Sequence, residues 1–72
     1  MAEIDRVIAA NVAAIADKQG VPIKRLASLS GISDERLRGY IAHGRGSLHG
    51  YEVESLAKVL GVEPSTLGGY AA

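Results

Sequence analysis

The sequence contains no cysteine, no phenylalanine and no tryptophan, and its formal charge at neutral pH sums to zero. Without cysteine, neither a disulfide framework nor a thiolate metal site can form, which fits a reducing cytoplasm. His43 and His49 alone make an incomplete ligand set, so no metal is expected. Without the larger aromatics, the core has to come from Ala, Leu, Ile and Val, which suit close packing of helices; the only aromatic rings are three tyrosines. No apolar run approaches the roughly 20 residues that cross a bilayer. Met1-Ala2-Glu3-Ile4-Asp5 has no basic segment ahead of an apolar one, so no secretory leader is expected either. There is no nucleophile–base–orienter set, and Gly44-Arg45-Gly46 lacks the Gly-Lys-Ser/Thr continuation of a phosphate-binding loop. Neither an enzyme nor a small-molecule cofactor is expected. At 72 residues the chain makes one small domain, and a domain of this size buries only about 60% of its unfolded surface, so its stability is thin.

The zero net charge conceals an uneven distribution. Residues 1–17 set three acids (Glu3, Asp5, Asp17) against Arg6, and residues 51–72 set Glu52, Glu54 and Glu63 against Lys58. Between them, Lys18, Lys24, Arg25, Arg36, Arg38 and Arg45 outnumber Asp34 and Glu35, with both histidines alongside. A basic middle flanked by acidic ends points to a localised anion-binding face, against the plainer reading of a solvated surface with accidental clustering.

Hydrophobic spacing predicts five helices and no strand. Ile4, Ile8, Val12 and Ile15 step by four, four and three, one face of a helix from about Glu3 to Lys18, closed by Gly20. Val21-Pro22 opens a second helix, with Pro22 at its first position, where a missing N–H costs nothing. Ile23, Leu26 and Ala27 form its inward face, and Gly31 ends it. Ser33 caps a third helix that has Asp34 and Glu35 in its first turn, where the helix dipole favours negative charge. Leu37, Tyr40 and Ile41 turn to the core, while Arg36 and Arg38 point outward. A loop over Gly44–Gly50 precedes a fourth helix built on Val53, Leu56, Ala57 and Leu60, in which Ser47 or His49 supplies the cap. A short fifth helix starts at Glu63-Pro64 and includes Leu67. Residues 1–69 form the domain, and 70–72 are expected to be a flexible tail. Asn11, near the apolar stripe of the first helix, is assigned no role.

The spacing Leu26-Ala27-(three)-Gly31-Ile32-Ser33-(three)-Leu37 has a physical reason at each position. Ala27 is small where two helices cross, Gly31 takes a turn conformation that a Cβ resists, and Ile32 and Leu37 fill the wedge between the helices. With the ending Leu56-Ala57-(two)-Leu60-Gly61-Val62, this resembles the phage repressor and Cro type of helix-turn-helix domain, the XRE-like group, over about Ile8 to Leu67. Two features depart from that group. Pro22-Ile23 replace the usual Ser-Gln or Thr-Gln pair. The usual Arg late in the first helix and Glu late in the third read Ala16 and Ile41, and losing both partners together strands no buried charge.

The resemblance implies a lambda-repressor-like five-helix bundle that inserts its third helix, about residues 34–43, into the major groove of duplex DNA. It implies a bacterial or phage transcriptional regulator. The matching base-contact positions are Glu35, Arg36, Arg38 and Gly39. Arginine bonds guanine O6 and N7 in a bidentate way, glutamate accepts from cytosine N4, and a glycine has no side chain to read with but permits close approach. Phosphate contacts are expected from Lys24, Arg25, Ser33, Arg45, Ser47 and His49. For Asp34, plain dipole stabilisation outweighs base contact. A homodimer on DNA would use Leu48, Val62, Leu67 and Tyr70. The rival reading is a protein-binding module on the same fold, an antitoxin or anti-repressor, which the zero net charge and the acidic start of the third helix favour.

Overall fold

Five helices and no strand make up residues 3–68, the residues that the computed structural model describes. They are α1 (Glu3–Gln19), α2 (Ile23–Ser30), α3 (Asp34–His43), α4 (Gly50–Leu60) and α5 (Pro64–Gly68). The all-α bundle expected from the hydrophobic spacing is therefore present, and the loop between α3 and α4 falls where the glycines put it. None of these helices is long and apolar enough to cross a membrane. The assigned tail, residues 70–72, lies outside the described residues.

The start of α2 differs by one position from the sequence expectation. Pro22 is not the first helical residue but the residue before it, with ψ at 156°, and its carbonyl accepts the Leu26 N–H at 2.9 Å. Both places tolerate a residue without an N–H, because neither donor would have an intrahelical partner. The other boundaries follow local chemistry. Gly31 takes φ 79° and donates its N–H to the Ala27 carbonyl at 3.0 Å, closing α2 in a backbone region where a Cβ is strained. Ser33 stays extended, and its Oγ accepts the Arg36 N–H at 3.2 Å, capping α3.

The core collects one side from every helix. Val12, Leu26, Leu37, Leu56 and Leu67 are wholly buried, with Ile8, Ala27, Ile32 and Leu60 beside them. Ala27 of α2 and Ile32 in the turn between α2 and α3 are both buried in this core. Burial of Leu67 corrects its assignment to a dimer surface: on α5 it faces the core and leaves nothing for a second chain to cover.

Long-range polar ties hold α1 to the end of the chain. The Asn11 amide donates to the Leu67 carbonyl at 2.7 Å, and the Gln19 amide donates to the Leu60 carbonyl at 2.7 Å. Each satisfies a carbonyl at a helix C-terminus that has no intrahelical donor. Asn11, without a role in the sequence reading, is thus a structural clasp on α5. Tyr40 of α3, the one aromatic ring in the core among the described residues, is nearly fully buried, and its hydroxyl donates to Asp5 of α1, lying 3.0 Å from Oδ1 and 3.1 Å from the carbonyl oxygen. Burial, then the Asp5 carboxylate, pushes the phenol above its ordinary range. Tyr40 therefore fixes the rotation of α3 about its own axis, which decides the residues that the helix shows to solvent.

Candidate nucleic-acid interface

With Leu37 and Tyr40 turned inward, α3 presents Glu35, Arg36 and Arg38 to solvent, with Gly39 half-exposed. A cleft of about 290 Å³ is lined by Ser33, Glu35, Arg36, Gly39, Arg45 and Gly46. It brings three of the four base-contact candidates together with two of the phosphate-contact candidates. The bend that returns Arg45 to this cleft begins at Gly44, which takes φ 63°. The Arg45 N–H then donates to the Gly39 carbonyl at 3.0 Å.

The two arginines that sequence reasoning treats alike are held differently. Arg38 is exposed, with its guanidinium 2.7 Å from Asp34 Oδ2 one turn earlier on the same helix. Surface pairs of this spacing contribute only about 0.3–0.5 kcal/mol, so the head is free to leave for a better acceptor. Asp34 thus has an intrahelical partner besides the helix dipole. Arg36 reaches away from the open face: Nη1 and Nη2 both bond the carboxylate of Glu52 on α4, and Nη2 also donates to the Ser47 carbonyl at 3.2 Å. Its outward orientation is therefore only partial, because the head group lies across the α3–α4 junction.

Glu52 is the residue of this region that sequence reasoning missed. Its side chain is 7% exposed. Besides Arg36 it accepts the His49 N–H at 2.9 Å, turning back on the start of its own helix. Arg36 above all, then the His49 N–H, holds its carboxyl below the usual glutamate range, against the opposing effect of burial. Glu52 holds the guanidinium above its ordinary value in turn. The available signal was positional: Glu52 stands three residues after His49, the spacing of a capping box.

A pH dependence follows. A carboxyl with a depressed folded pKa lends stability above its unfolded pKa, about 4.3, and loses it as pH falls through the lower folded value. Thermal melts across pH 2–7 should show Glu52→Gln less stable than the parent at neutral pH. The gap should narrow below about pH 4.3 as the parent's Glu52 protonates. A gap of constant size down to pH 2 would contradict the pairing.

The remaining candidates scatter. Lys24 and Arg25 are exposed in the first turn of α2 and do not line the cleft. Ser47 and Leu48 belong to a different groove, shared with Ile4, Ile8, Val53 and Pro64. His49 stacks on Tyr51, with ring centroids 5.4 Å apart and planes within 5°. Val62 is half-buried against the core, and Tyr70 lies outside the described residues. Among the described residues no group of three or more His, Cys, Asp or Glu side chains is placed to hold a metal ion.

The chain matches no protein-family model, no curated protein and no solved structure.

Proposed function

We propose that this chain binds duplex DNA in a sequence-dependent way, laying the exposed face of α3 in the major groove, as a small transcriptional regulator of the phage repressor and Cro kind. The observation that carries this reading is Gly39. It lies in the interior of α3, where glycine costs about 1 kcal/mol relative to alanine. The fold offers no reason for it: its φ is not in the left-handed region, and an added Cβ would meet nothing nearer than Arg45 Cβ at 3.9 Å, an ordinary contact. A helix face that gives up stability for smoothness, flanked by Arg38, Arg45 and Glu35, suits the close approach of a partner's surface.

Arg38 is the side chain best placed to read a base. It is 55% exposed, and its Asp34 partner is weak and replaceable. Arg38→Ala should lower affinity for the preferred duplex by about 1–3 kcal/mol and relax preference at one base pair. Its melting temperature should stay nearly unchanged. Equal binding of preferred and random duplexes by parent and variant alike would refute the assignment.

Phosphate attraction is modest on this reading. Lys24, Arg25 and Arg45 are the cationic candidates, so the slope of log K against log salt should be no steeper than about −3 per chain, at roughly −0.9 for each neutralised phosphate. A titration over a range of salt concentrations checks this; a slope near −10 would mean a much larger basic face. Few phosphate contacts favour two chains on a two-fold site, with recognition helices about 34 Å apart, one helical turn. Since Leu67 is core, Leu48 and Val62 remain, among the described residues, as the apolar candidates for contact between the two chains.

A second reading keeps the fold and replaces DNA with a protein, as in an antitoxin or anti-repressor. It is favoured by one observation: the heads of both α3 arginines already have carboxylate partners within the chain. Titration against random duplex at low salt separates the two readings, since a protein-binding module would show no measurable affinity.

A further inference from the structure

The connector from Gly44 to His49 has few fixed points. At its start the Arg45 N–H is bonded to Gly39, and at its end the His49 carbonyl accepts the N–H groups of Glu52 and Val53. Between these ends, Gly46 takes φ 72°, and an added Cβ there would meet open space. Leu48 rests half-buried against the core. Among the described residues, the hydrogen bond that reaches the middle of the connector is Arg36 Nη2 to the Ser47 carbonyl. The same guanidinium is held in place by two bonds to Glu52, which also holds the His49 N–H. Three separate pieces of the chain therefore meet on one ion pair: α3 through Arg36, the connector through Ser47, and the start of α4 through Glu52.

We infer that Arg36 is a positioning residue and not a base reader: with Glu52 it clamps the Ser47 region of the connector to α3, and so sets where Arg45 stands beside the recognition face. This rests on the duplex-binding reading for its consequence, but the clamp itself is a property of the free chain. The chemistry suits the task. A guanidinium presents several donors in a rigid plane, so it can take both carboxylate oxygens and still donate to a carbonyl at the side, which a lysine ammonium does less well. A reader has to offer its paired donors to guanine O6 and N7, and in Arg36 those donors are committed within the chain. Reading and positioning are thereby divided between two arginines two residues apart: Arg38 is free to contact the partner, and Arg36 keeps the loop cation in place.

The test measures two things on the parent, Arg36→Ala, Arg36→Lys and Glu52→Gln, all first shown to be folded by helical circular dichroism. The first is the set of backbone order parameters of residues 45–48 in the free, isotopically labelled chain. A clamp predicts values near 0.85 in the parent, falling below about 0.6 in Arg36→Ala and Glu52→Gln. Arg36→Lys should be intermediate, and the helices unchanged. The second is affinity for the preferred duplex and for its full set of single base-pair variants. Arg36→Ala and Glu52→Gln should weaken all of these by one common factor, on the order of tenfold, leaving the preference at every position intact. Combining the two substitutions should cost no more than the worse single one, because both remove the same tie. Unchanged order parameters in Arg36→Ala would overturn the clamp whatever the chain binds. Flattened preference at one base pair in Arg36→Ala, together with parent-like binding by Glu52→Gln, would show Arg36 to be a reader instead. If no form of the chain binds any duplex, the DNA reading fails while the order parameters still decide the clamp.

Discussion

Leu37→Ala should lower the melting temperature by at least roughly 10 °C and leave a large unfolded fraction at physiological temperature. Leu37 is fully buried, on the inward side of the same helix that carries Arg36, Arg38 and Gly39. Truncating a buried leucine removes its transfer free energy and leaves a cavity, at a cost of about 2–5 kcal/mol. A single core in a chain of this length seldom supplies more than about 3–5 kcal/mol in total, so one substitution takes most of the margin. Repacking cannot recover much, because Leu26, Ala27 and Ile32 of the same core are themselves buried. Thermal and urea denaturation of the parent and variant check this. A variant that melts within a few degrees of the parent would mean that α3 is not docked through Leu37, and the exposed face built on that docking would fall with it.

Gly39→Leu should have opposite effects on stability and on binding. Leucine is among the better helix formers and glycine nearly the worst, so an exposed helix interior gains about 0.5–1 kcal/mol from the change. An added Cβ meets nothing nearer than Arg45 Cβ at 3.9 Å, and the position opens on the cleft. The melting temperature should therefore rise by a few degrees. If α3 lies close against a partner's surface, the added isobutyl group intrudes on it. Overfilling a fitted contact costs about 1–3 kcal/mol, a loss of roughly 5- to 150-fold in affinity. Stability and affinity measured on the same preparations separate the two terms. A variant both more stable and equally tight would show that Gly39 faces open solvent in the complex, and would remove the main support for placing α3 at the interface.

The helical layout was legible in the residues because local chemistry and burial agree along most of the chain. The four-four-three spacing from Ile4 to Ile15, Ser33 ahead of two acids, and the glycines at 20, 31, 44 and 61 each mark an element or a boundary that the structure shows. Pro22 was misplaced by one position because proline is equally at home just before and just inside a helix. What was not legible is what depends on partners distant in sequence. Leu67 reads as spare apolar surface near a chain end until α1 is seen to pass over it, with Asn11 reaching its carbonyl across 56 residues. Arg36 and Arg38 are indistinguishable as residue types on a helix face. Sixteen residues separate Arg36 from Glu52, and only the turn of the connector that brings the start of α4 within reach of α3 makes them a pair. Glu52 reads as one more acid in an acidic segment until its burial is known.

The proposed function depends on whether α3 reads duplex DNA. The most direct measurement is selection from a pool of random duplexes with the purified chain, followed by titration of the enriched sequence and of random duplex at one fixed salt concentration. The expected result is enrichment of a single motif, repeated in inverted orientation with centres one helical turn apart. It should bind at least about 10³-fold more tightly than random duplex. A pool that shows no enrichment, or equal affinity for selected and random duplexes, would contradict it.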